Sequence, residues 1–236
     1  MIASPLRRLD CCLVTDGGGA LVLTTRARAR DLRQRPISIL GVAETHTHRT
    51  ISQMPDLTVT GAALTGPRAF AMAGLTPADV DVAEIYDSFT ITVLLTLEDL
   101  GFCRKGESGA FVAKQRTAPG GDFPLNTQGG GLSYCHPGVF GIFTVIEGVR
   151  QLRGECGPRQ VAGAEIALCH GTGGVCRRRA PRSWAAADGT AAADARSRER
   201  GILAARRRAS AGAPTLPRLP DVPVLPARAV SRVPGR

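Results

Sequence analysis

Residues 82–101 read VAEIYDSFTITVLLTLEDLG and contain a complete strand–loop–helix unit. Val82-Ala83-Glu84-Ile85 has the short, mainly apolar run of a buried strand. A helix is predicted over residues 88–100, because apolar side chains recur on one face at the helical period, and Gly101 ends it. The side chains on this face are Phe89, Val93, Leu94, Leu97 and Leu100. A strand followed directly by an amphipathic helix is typical of α/β proteins.

The same alternation extends to both sides of this unit. Apolar runs predict strands at residues 37–44 and 160–169. Helical periodicity predicts helices at residues 61–74 and 138–153. We therefore predict an α/β fold in which helices pack in layers against a sheet.

Glycine-rich segments interrupt this pattern. Residues 10–24 have the pattern of two short strands joined by a tight turn, and we expect the glycines of Asp16-Gly17-Gly18-Gly19 to supply its positive φ. Residues 102–135 are rich in loops and include Gly129-Gly130-Gly131. A long irregular stretch in a compact domain is often functional.

The positive charge of the chain is confined to its last quarter. The 236 residues carry a net charge of +10. Residues 1–175 contain 16 basic and 16 acidic side chains, whereas residues 176–236 contain 14 Arg, no Lys and 4 acidic side chains. An arginine-rich tail can bind nucleic acid. No aromatic interleaving accompanies these arginines, so we expect no nucleic-acid partner.

Residues 176–236 also lose the apolar periodicity of the body and are rich in Ala, Arg and Pro. Two interpretations stay open. One is a disordered basic tail. The other is an out-of-frame translation of GC-rich DNA, whose codons yield Arg, Ala, Pro and Gly.

Seven cysteines are irregularly spaced, at positions 11, 12, 103, 135, 156, 169 and 176. Their odd number and the absence of a CxxC pair predict reduced thiols in a cytoplasmic protein. The four histidines are not spaced with cysteines as metal ligands usually are, so we expect no metal site. No apolar run approaches the roughly 20 residues that a membrane span requires.

Four segments, taken in chain order, resemble the thiolase superfamily, in particular its lipid-transfer-protein and sterol-carrier type. Asp10 to Leu32 is similar to the passage that closes the first thiolase half. Glu84–Phe89 lies where relatives carry an Asn-Glu-Ala-Phe or His-Asp-Cys-Phe loop. Leu125–Gly131, followed by Cys135-His136-Pro137-Gly138, resembles the Asn-x-x-Gly-Gly and Gly-His-Pro loop. Cys169-His170-Gly171 has the spacing of the Cys-x-Gly loop.

The resemblance implies a domain organisation. Residues 36–175 would form the C-terminal half of a layered thiolase-like fold, residues 1–35 the end of the N-terminal half, and residues 176–236 a tail. The thiolase loop with the nucleophilic cysteine would lie upstream, so the chain is expected to be incomplete at both ends. A core strand should also follow the Cys-x-Gly loop. Without it, backbone groups stay unpaired, and we expect the chain alone to be unstable and inactive.

The resemblance also identifies candidate catalytic residues. His136 occupies the position of the Gly-His-Pro histidine, which helps to form an oxyanion hole and activates the nucleophile. Tyr86 stands where relatives carry Asn or His, and a phenol there can act as a general acid or base. Both Tyr86 and Tyr134 fall in active-site loops, as in the retro-aldolase subgroup, although either can be a packing residue.

The remaining candidates each keep a structural alternative. Asp87 can orient a water molecule or cap the helix at 88–100. Cys169 can be the thiolase acid/base cysteine or a small buried residue at a strand end. Cys135 replaces the Gly of Gly-His-Pro, so its Cβ puts the loop geometry in question. Ser88 replaces the cysteine of the sterol-carrier-type loop.

By the same resemblance, the acyl-CoA substrate would contact the two glycine-rich loops. The residues concerned are Asn126, Gly129, Gly130, His170 and Gly171. No bound cofactor is expected, since coenzyme A enters as the thioester substrate. A homodimer and a small OB-fold partner protein are implied as well.

Three functions follow from the resemblance. The first is thiolase-like acyl transfer, which makes or breaks a C–C bond beside a thioester. The second is retro-aldol cleavage of a β-hydroxyacyl-CoA from steroid side-chain degradation, which requires no cysteine nucleophile and is favoured by Tyr86. The third is a carrier that binds acyl-CoA or lipid without turnover.

Overall fold

The computed structural model describes residues 1–48, 50–173, 199–206, 224–225 and 227–228. The strands are β1 (Ala20–Leu21), β2 (Ile37–Thr45), β3 (Val82–Ile85), β4 (Ile166–His170), β5 (Glu199–Arg206), β6 (Val224–Leu225) and β7 (Ala227–Arg228). The α-helices are α1 (Arg26–Ala29), α2 (Ala62–Ala73), α3 (Thr90–Asp99), α4 (Ser108–Val112), α5 (Gly130–Ser133) and α6 (Gly141–Arg153). Short 3-10 turns cover Arg8–Asp10, Ile51–Gln53, Pro77–Asp79 and Gly157–Arg159.

A five-stranded mixed sheet, in the order β3-β4-β5-β2-β6, forms the centre of the fold. Strands β3 and β4 are parallel, whereas β5 runs antiparallel to both β4 and β2. Strand β1 pairs separately with β7. The parallel pair brings the carboxyl ends of β3 and β4 to one edge, with Ile85 opposite His170.

Helices cover both faces of this sheet, so the predicted α/β layering is confirmed. On one face α2 and α3 bury a cluster that includes Phe70, Ile85 and Leu97. On the other face α6 buries a second cluster that includes Val82 and Leu152. Residues of β3 contribute to both clusters because neighbouring side chains of a strand point to opposite faces of the sheet.

Three predicted elements begin at least two residues later than expected. The helix predicted at 138–153 begins at Gly141. The helix predicted at 88–100 begins at Thr90, because Phe89 is still extended and bridges to Cys11. The strand predicted at 160–169 begins at Ile166. Its first residues instead bond to α6: the N–H of Val161 donates to Oε1 of Gln151 at 2.9 Å.

Of the strand–turn–strand predicted at residues 10–24, only Ala20–Leu21 is a strand, and it pairs with β7. The first strand and the tight turn are wrong. The backbone of this segment bonds to other loops instead of to itself, since Cys12 N–H donates to Ser88 O and Leu13 N–H to Gly131 O, each at 2.9 Å. Gly19 allows a close approach to α6. A Cβ on Gly19 would lie 2.5 Å from Cδ1 of Ile146, and none of residues 17–19 has a positive φ.

Strand β5 lies between β4 and β2, where the sequence predicted that a central strand was missing. The expectation that the tail contains no strand is therefore wrong for the eight residues of β5. Because β5 pairs with β4, the backbone of β4 is not left unpaired on that side. Residues 201–205 read GILAA, an uncharged run hidden among arginines. The rest of the tail, apart from β6 and β7, lies outside the described residues. The out-of-frame interpretation concerns those residues and stays a hypothesis.

Candidate active site

The site forms where β3 ends and meets the glycine-rich loop. Tyr86 and Asp87 directly follow β3, and His136 lies in the loop between α5 and α6. The hydroxyl oxygen of Tyr86 is 2.8 Å from Nε2 of His136, which is hydrogen-bonding distance. Tyr86 is only 8% exposed, whereas His136 is half-buried, so the hydrogen bond is partly shielded from bulk water.

Aromatic packing holds the pair in place. The ring of Tyr86 stands edge-on to both His136 and Phe140, with ring centroids 5.4 and 5.5 Å apart. His136 stacks on Phe140 at 6.1 Å. The backbone N–H of His136 donates to Oγ1 of Thr15 at 2.9 Å. Phe140 and Thr15 are therefore site residues that sequence reasoning missed, because neither belongs to a recognisable motif.

Burial lowers the pKa of His136 below its ordinary value of 6.5. The imidazole is therefore neutral at pH 7, with one ring nitrogen as donor and the other as acceptor. A neutral imidazole beside a phenol is a pair that can pass a proton without first losing one to solvent.

Asp87 binds the glycine-rich loop. Its carboxylate accepts hydrogen bonds from the backbone N–H of Gly131 at 2.6 Å and of Leu132 at 3.2 Å. Burial raises the pKa of Asp87, and these hydrogen bonds oppose the rise. The helix-cap interpretation of Asp87 is wrong, because Phe89 occupies the N-cap position of α3 and no side chain caps it.

The contact with Asp87 explains the glycines. Gly130 has a φ of +63°, and a Cβ there would lie 2.1 Å from Oδ2 of Asp87. Gly131 would place a Cβ 3.1 Å from Oδ1 of Asp87 and 3.0 Å from Cδ2 of His136. Gly129 has a φ of +103°. These three positions therefore need glycine for backbone conformation and close approach.

Asn126 joins the same loop to the end of β3. Its Oδ1 accepts a hydrogen bond from the N–H of Ile85 at 2.7 Å, and its side chain also bonds to Asp87. The residue has a φ of +49°, a conformation that Asn tolerates better than most residues. This geometry gives Asn126 a supporting role in the site, and its predicted contact with acyl-CoA stays a prediction.

Tyr134 and Cys135 lie at the outer side of the loop. Tyr134 is 45% exposed, and its ring centroid is 6.4 Å from that of Phe143. Cys135 is half-buried, and burial raises the pKa of its thiol. Its φ is not positive, so the Cβ that replaces the glycine of the motif is accommodated without backbone strain.

Cys169, His170 and Gly171 are buried at the end of β4. Sγ of Cys169 lies 3.4 Å from the carbonyl oxygen of Thr144, and burial raises the pKa of the thiol well above 9.0. Burial lowers the pKa of His170 to about 4, so its imidazole is neutral. His170 contributes its carbonyl oxygen, which accepts from the N–H of Tyr86 at 3.1 Å.

Among the described residues, no three His, Cys, Asp or Glu side chains are grouped to hold a metal ion. Nor does any helix in that part of the chain have the length and apolarity to cross a membrane. The site offers hydrogen-bond donors, a phenol and an imidazole, which is a set suited to moving protons beside a carbonyl group.

The layered sheet and the two loops at its edge define a thiolase-type domain. Residues 43–181 match the family model described as thiolase C-terminal domain-like, and the chain belongs to this family. The resemblance seen in the sequence motifs is thereby confirmed.

Individual relatives agree with the family model. Over 183 residues the chain is 43% identical to the 17-hydroxy-3-oxo-4-pregnene-20-carboxyl-CoA lyase of Mycobacterium tuberculosis, covering 73% of this chain and 45% of the lyase. Over 177 residues it is 42% identical to the acetyl-CoA acetyltransferase of Methanothermobacter thermautotrophicus, covering 74% and 46%. The chain thus spans about half the length of the curated relatives it matches.

A solved structure shows the same likeness in three dimensions. The Ltp2-ChsH2(DUF35) aldolase superimposes with a TM-score of 0.70 at 30% identity, covering 88% of this chain and 49% of that one.

Proposed function

We propose that this protein breaks a C–C bond next to the thioester of an acyl-CoA, by retro-aldol cleavage of a β-hydroxyacyl-CoA. The observation that carries the proposal is the Tyr86–His136 hydrogen bond of 2.8 Å. A phenol with a neutral imidazole behind it can take a proton from a substrate hydroxyl and pass its own proton on.

The proposed reaction balances with these two side chains alone. The β-hydroxyl of the substrate gives its proton to Tyr86, while Tyr86 gives its proton to Nε2 of His136. The bond between the α and β carbons breaks, and the β carbon becomes the carbonyl carbon of a ketone. The electron pair of the broken bond forms the enolate of the shortened acyl-CoA. The proton held by His136 then returns to the α carbon. Hydrogen-bond donors around the thioester oxygen would stabilise the enolate.

Thiolase-like acyl transfer is the second candidate, favoured by the 42% identity to an acetyl-CoA acetyltransferase. Thiolase chemistry would use Cys169 as an acid and base. That thiol is buried, faces the carbonyl of Thr144 and has a raised pKa, so it is poorly placed to exchange protons with substrate. These contacts support the retro-aldol reaction over the thiolase reaction.

The third candidate is a carrier that binds acyl-CoA or lipid without turnover. In a carrier, the Tyr86–His136 hydrogen bond would have no role in catalysis. A partly buried hydrogen bond between two polar side chains is more costly to build than an apolar contact in the same place. A simple binding pocket has no need of it.

We also infer that the protein works in an assembly, as a homodimer and with a small OB-fold partner. Four apolar side chains beside the site segments are exposed: Leu9 by 89%, Val14 by 99%, and Phe89 and Ile91 each by 43%. Exposed apolar side chains favour burial against another protein surface where they form a patch. The name of the Ltp2-ChsH2(DUF35) aldolase, which has two components, supports a partner complex.

The deciding experiment supplies the purified chain with the steroid CoA thioester named in the mycobacterial lyase, alone and with a DUF35 partner. Mass spectrometry would follow the ketone and the shortened acyl-CoA. Formation of both products, lost in Tyr86→Phe, supports retro-aldol cleavage. Acetyl transfer that depends on free coenzyme A supports the thiolase reaction instead. Binding without products supports the carrier, and neither binding nor turnover contradicts all three.

A further inference from the structure

A buried polar cluster lies under the site, between β3 and α6. Glu84, the residue two before Tyr86, is fully buried in the middle of β3. Its Oε1 lies 3.1 Å from the backbone nitrogen of Thr127 and 2.8 Å from Oγ1 of the same residue. Thr127 follows Asn126, which itself holds the end of β3. Glu84 therefore connects the strand that carries Tyr86 to the loop that binds Asp87.

The hydroxyl of Thr127 has three close partners. Its Oγ1 is 2.8 Å from Oε1 of Glu84, 2.8 Å from Oε1 of Glu147 and 2.8 Å from Nε2 of Gln151. A hydroxyl carries one hydrogen and accepts through its lone pairs. The hydroxyl of Thr127 accepts from the amide of Gln151. Because it has only one hydrogen, it can donate to only one of the two carboxyl oxygens. The other 2.8 Å contact needs a proton on the carboxyl side.

The contacts of Glu147 identify it as the ionised member. Nε of Arg159 donates to its Oε1 at 2.8 Å, and Nη2 donates to its Oε2 at 3.1 Å. Burial alone would raise the pKa of Glu147, but the hydrogen bonds and charge of Arg159 and the bond from Thr127 bring it below the ordinary value. Such a bidentate arginine contact stabilises a carboxylate.

Among the residues that the structure describes, no basic side chain pairs with Glu84 alone. The ionisable groups of that part of the chain that face it are Glu147 on α6, Arg159 in the turn after that helix, and the thiol of Cys169 on β4. Arg159 is engaged by Glu147, and Cys169 stays a neutral thiol because burial raises its pKa. An isolated buried carboxylate is costly, whereas a neutral carboxylic acid can donate one hydrogen bond.

We propose that Glu84 is a positioning residue that works as a neutral carboxylic acid, donating its proton to Thr127, which in turn donates to the carboxylate of Glu147. This relay fixes the glycine-rich loop against the end of β3. It thereby sets the distance between the segment that carries Tyr86 and Asp87 and the loop that leads to His136. The inference concerns the site of the proposed function, but its tests require no turnover.

The relay predicts a dependence of stability on pH. Burial, and then the charge of Glu147, raise the pKa of Glu84 from 4.5 to about 8. The folded state therefore holds this proton more tightly than the unfolded state does between those two values. Its contribution to stability is complete below pH 4.5 and is lost as the pH rises through about 8.

Two measurements on the full chain test the proposal. Infrared spectroscopy in D2O at pH 7 should show the C=O band of a protonated carboxyl group that disappears in Glu84→Gln. Thermal unfolding across the pH range should show wild-type stability falling between pH 4.5 and 8 relative to Glu84→Gln. The glutamine is a neutral isostere whose amide nitrogen can donate to the hydroxyl of Thr127, but it cannot accept from the N–H of Thr127 as Oε1 of Glu84 does. This variant should therefore fold, be less stable than wild type at low pH, and be the more stable protein at high pH.

The matched variant is Glu147→Gln, which removes the charge paired with Arg159 and should lower the melting temperature at every pH where Glu147 is ionised. The proposal is overturned if Glu84→Gln fails to fold, if it loses as much stability as Glu147→Gln, or if the wild-type protein lacks the protonated-carboxyl band at pH 7. Each of these results would mean that Glu84 is needed as a carboxylate. None of them bears on whether the protein cleaves a β-hydroxyacyl-CoA.

Discussion

The hydroxyl oxygen of Tyr86 lies 2.8 Å from Nε2 of His136, a residue 50 positions later in the chain. The two side chains come from different loops, one after β3 and one before α6, and meet against the ring of Phe140. A hydrogen bond between distant loops requires that both loops be held firmly. Asp87 and Asn126 provide this support through their hydrogen bonds to Gly131 and Ile85, and the buried cluster of Glu84, Thr127 and Glu147 adds further hydrogen bonds between β3, the loop and α6.

Replacing Tyr86 with Phe should abolish most of the proposed cleavage while the fold is retained. The phenylalanine keeps the edge-on packing against Phe140 but removes the hydroxyl that exchanges the proton, and loss of a general acid or base costs about 10²–10⁴-fold in rate. The comparison is kcat for wild type and variant with equal circular dichroism spectra. Tyr134→Phe removes the same atom from the exposed tyrosine, and its effect shows whether that residue also takes part. Turnover by Tyr86→Phe at the wild-type rate would exclude the proposed role.

The pH profile of kcat/KM should have an acid limb below pH 6.5. Burial lowers the pKa of His136 from that value, and the imidazole must be neutral to accept the proton of Tyr86. Activity is therefore present above the pKa of His136 and is lost as the pH falls through it. An acid limb centred at or above pH 6.5 would contradict a histidine acceptor whose pKa is lowered by burial. An acid limb that persists in His136→Asn would assign it to another group.

Gly130→Ala should destabilise the protein and displace the loop. The backbone at Gly130 has a φ of +63°, and the new Cβ would lie 2.1 Å from Oδ2 of Asp87. The strained conformation alone costs about 1–3 kcal/mol, and the clash adds to it. Chemical denaturation measures the loss. The control is Gly109→Ala in α4, where a Cβ meets no atom within 4 Å and alanine favours the helix. Equal stability of the two variants would contradict the close approach.

The sequence motifs identified Tyr86, Asp87, Asn126 and His136 as neighbours in a site, because each motif has its own residue pattern. They did not reveal how the side chains are used. Asp87 was interpreted as a possible helix cap, yet it binds the loop at Gly131. Only the approach of two distant loops determines that contact, and no periodicity in the chain encodes it.

The wrong predictions about the fold also have physical causes. Clustered glycines most often mark a turn, which is why the sequence predicts one at residues 17–19, but here Gly19 lets the chain pass close to Ile146 of α6. Strand β5 was missed because the arginines around residues 201–205 dominate the composition of that region. In contrast, β3 was predicted with its observed bounds, since a buried strand beside an amphipathic helix leaves a clear pattern.

Cys169→Ala should leave the proposed cleavage intact and lower stability. The thiol donates to the carbonyl of Thr144 and packs against Gly148, whose Cβ, if present, would lie 2.6 Å from Sγ. Losing this contact costs about 0.5–3 kcal/mol, the usual range for a buried substitution. Turnover per folded molecule decides the chemistry, since an acid/base cysteine would instead cost about 10²–10⁴-fold. The latter result would favour the thiolase reaction.

Leu203→Pro should abolish cooperative unfolding of the chain. In β5, Leu203 lies opposite Cys169 of β4 and opposite Val42 of β2, so its backbone is in the middle of the sheet. Proline lacks the N–H that a central strand needs and is found in sheets essentially only at edges and bulges. Differential scanning calorimetry should show a single transition in the wild-type chain and none, or a broad one, in the variant. Leu203→Val is the control, since it keeps the N–H and favours extended backbone. If the proline variant melts like wild type, β5 does not fill the gap between β4 and β2, and the expectation that the chain alone is unstable regains its physical basis.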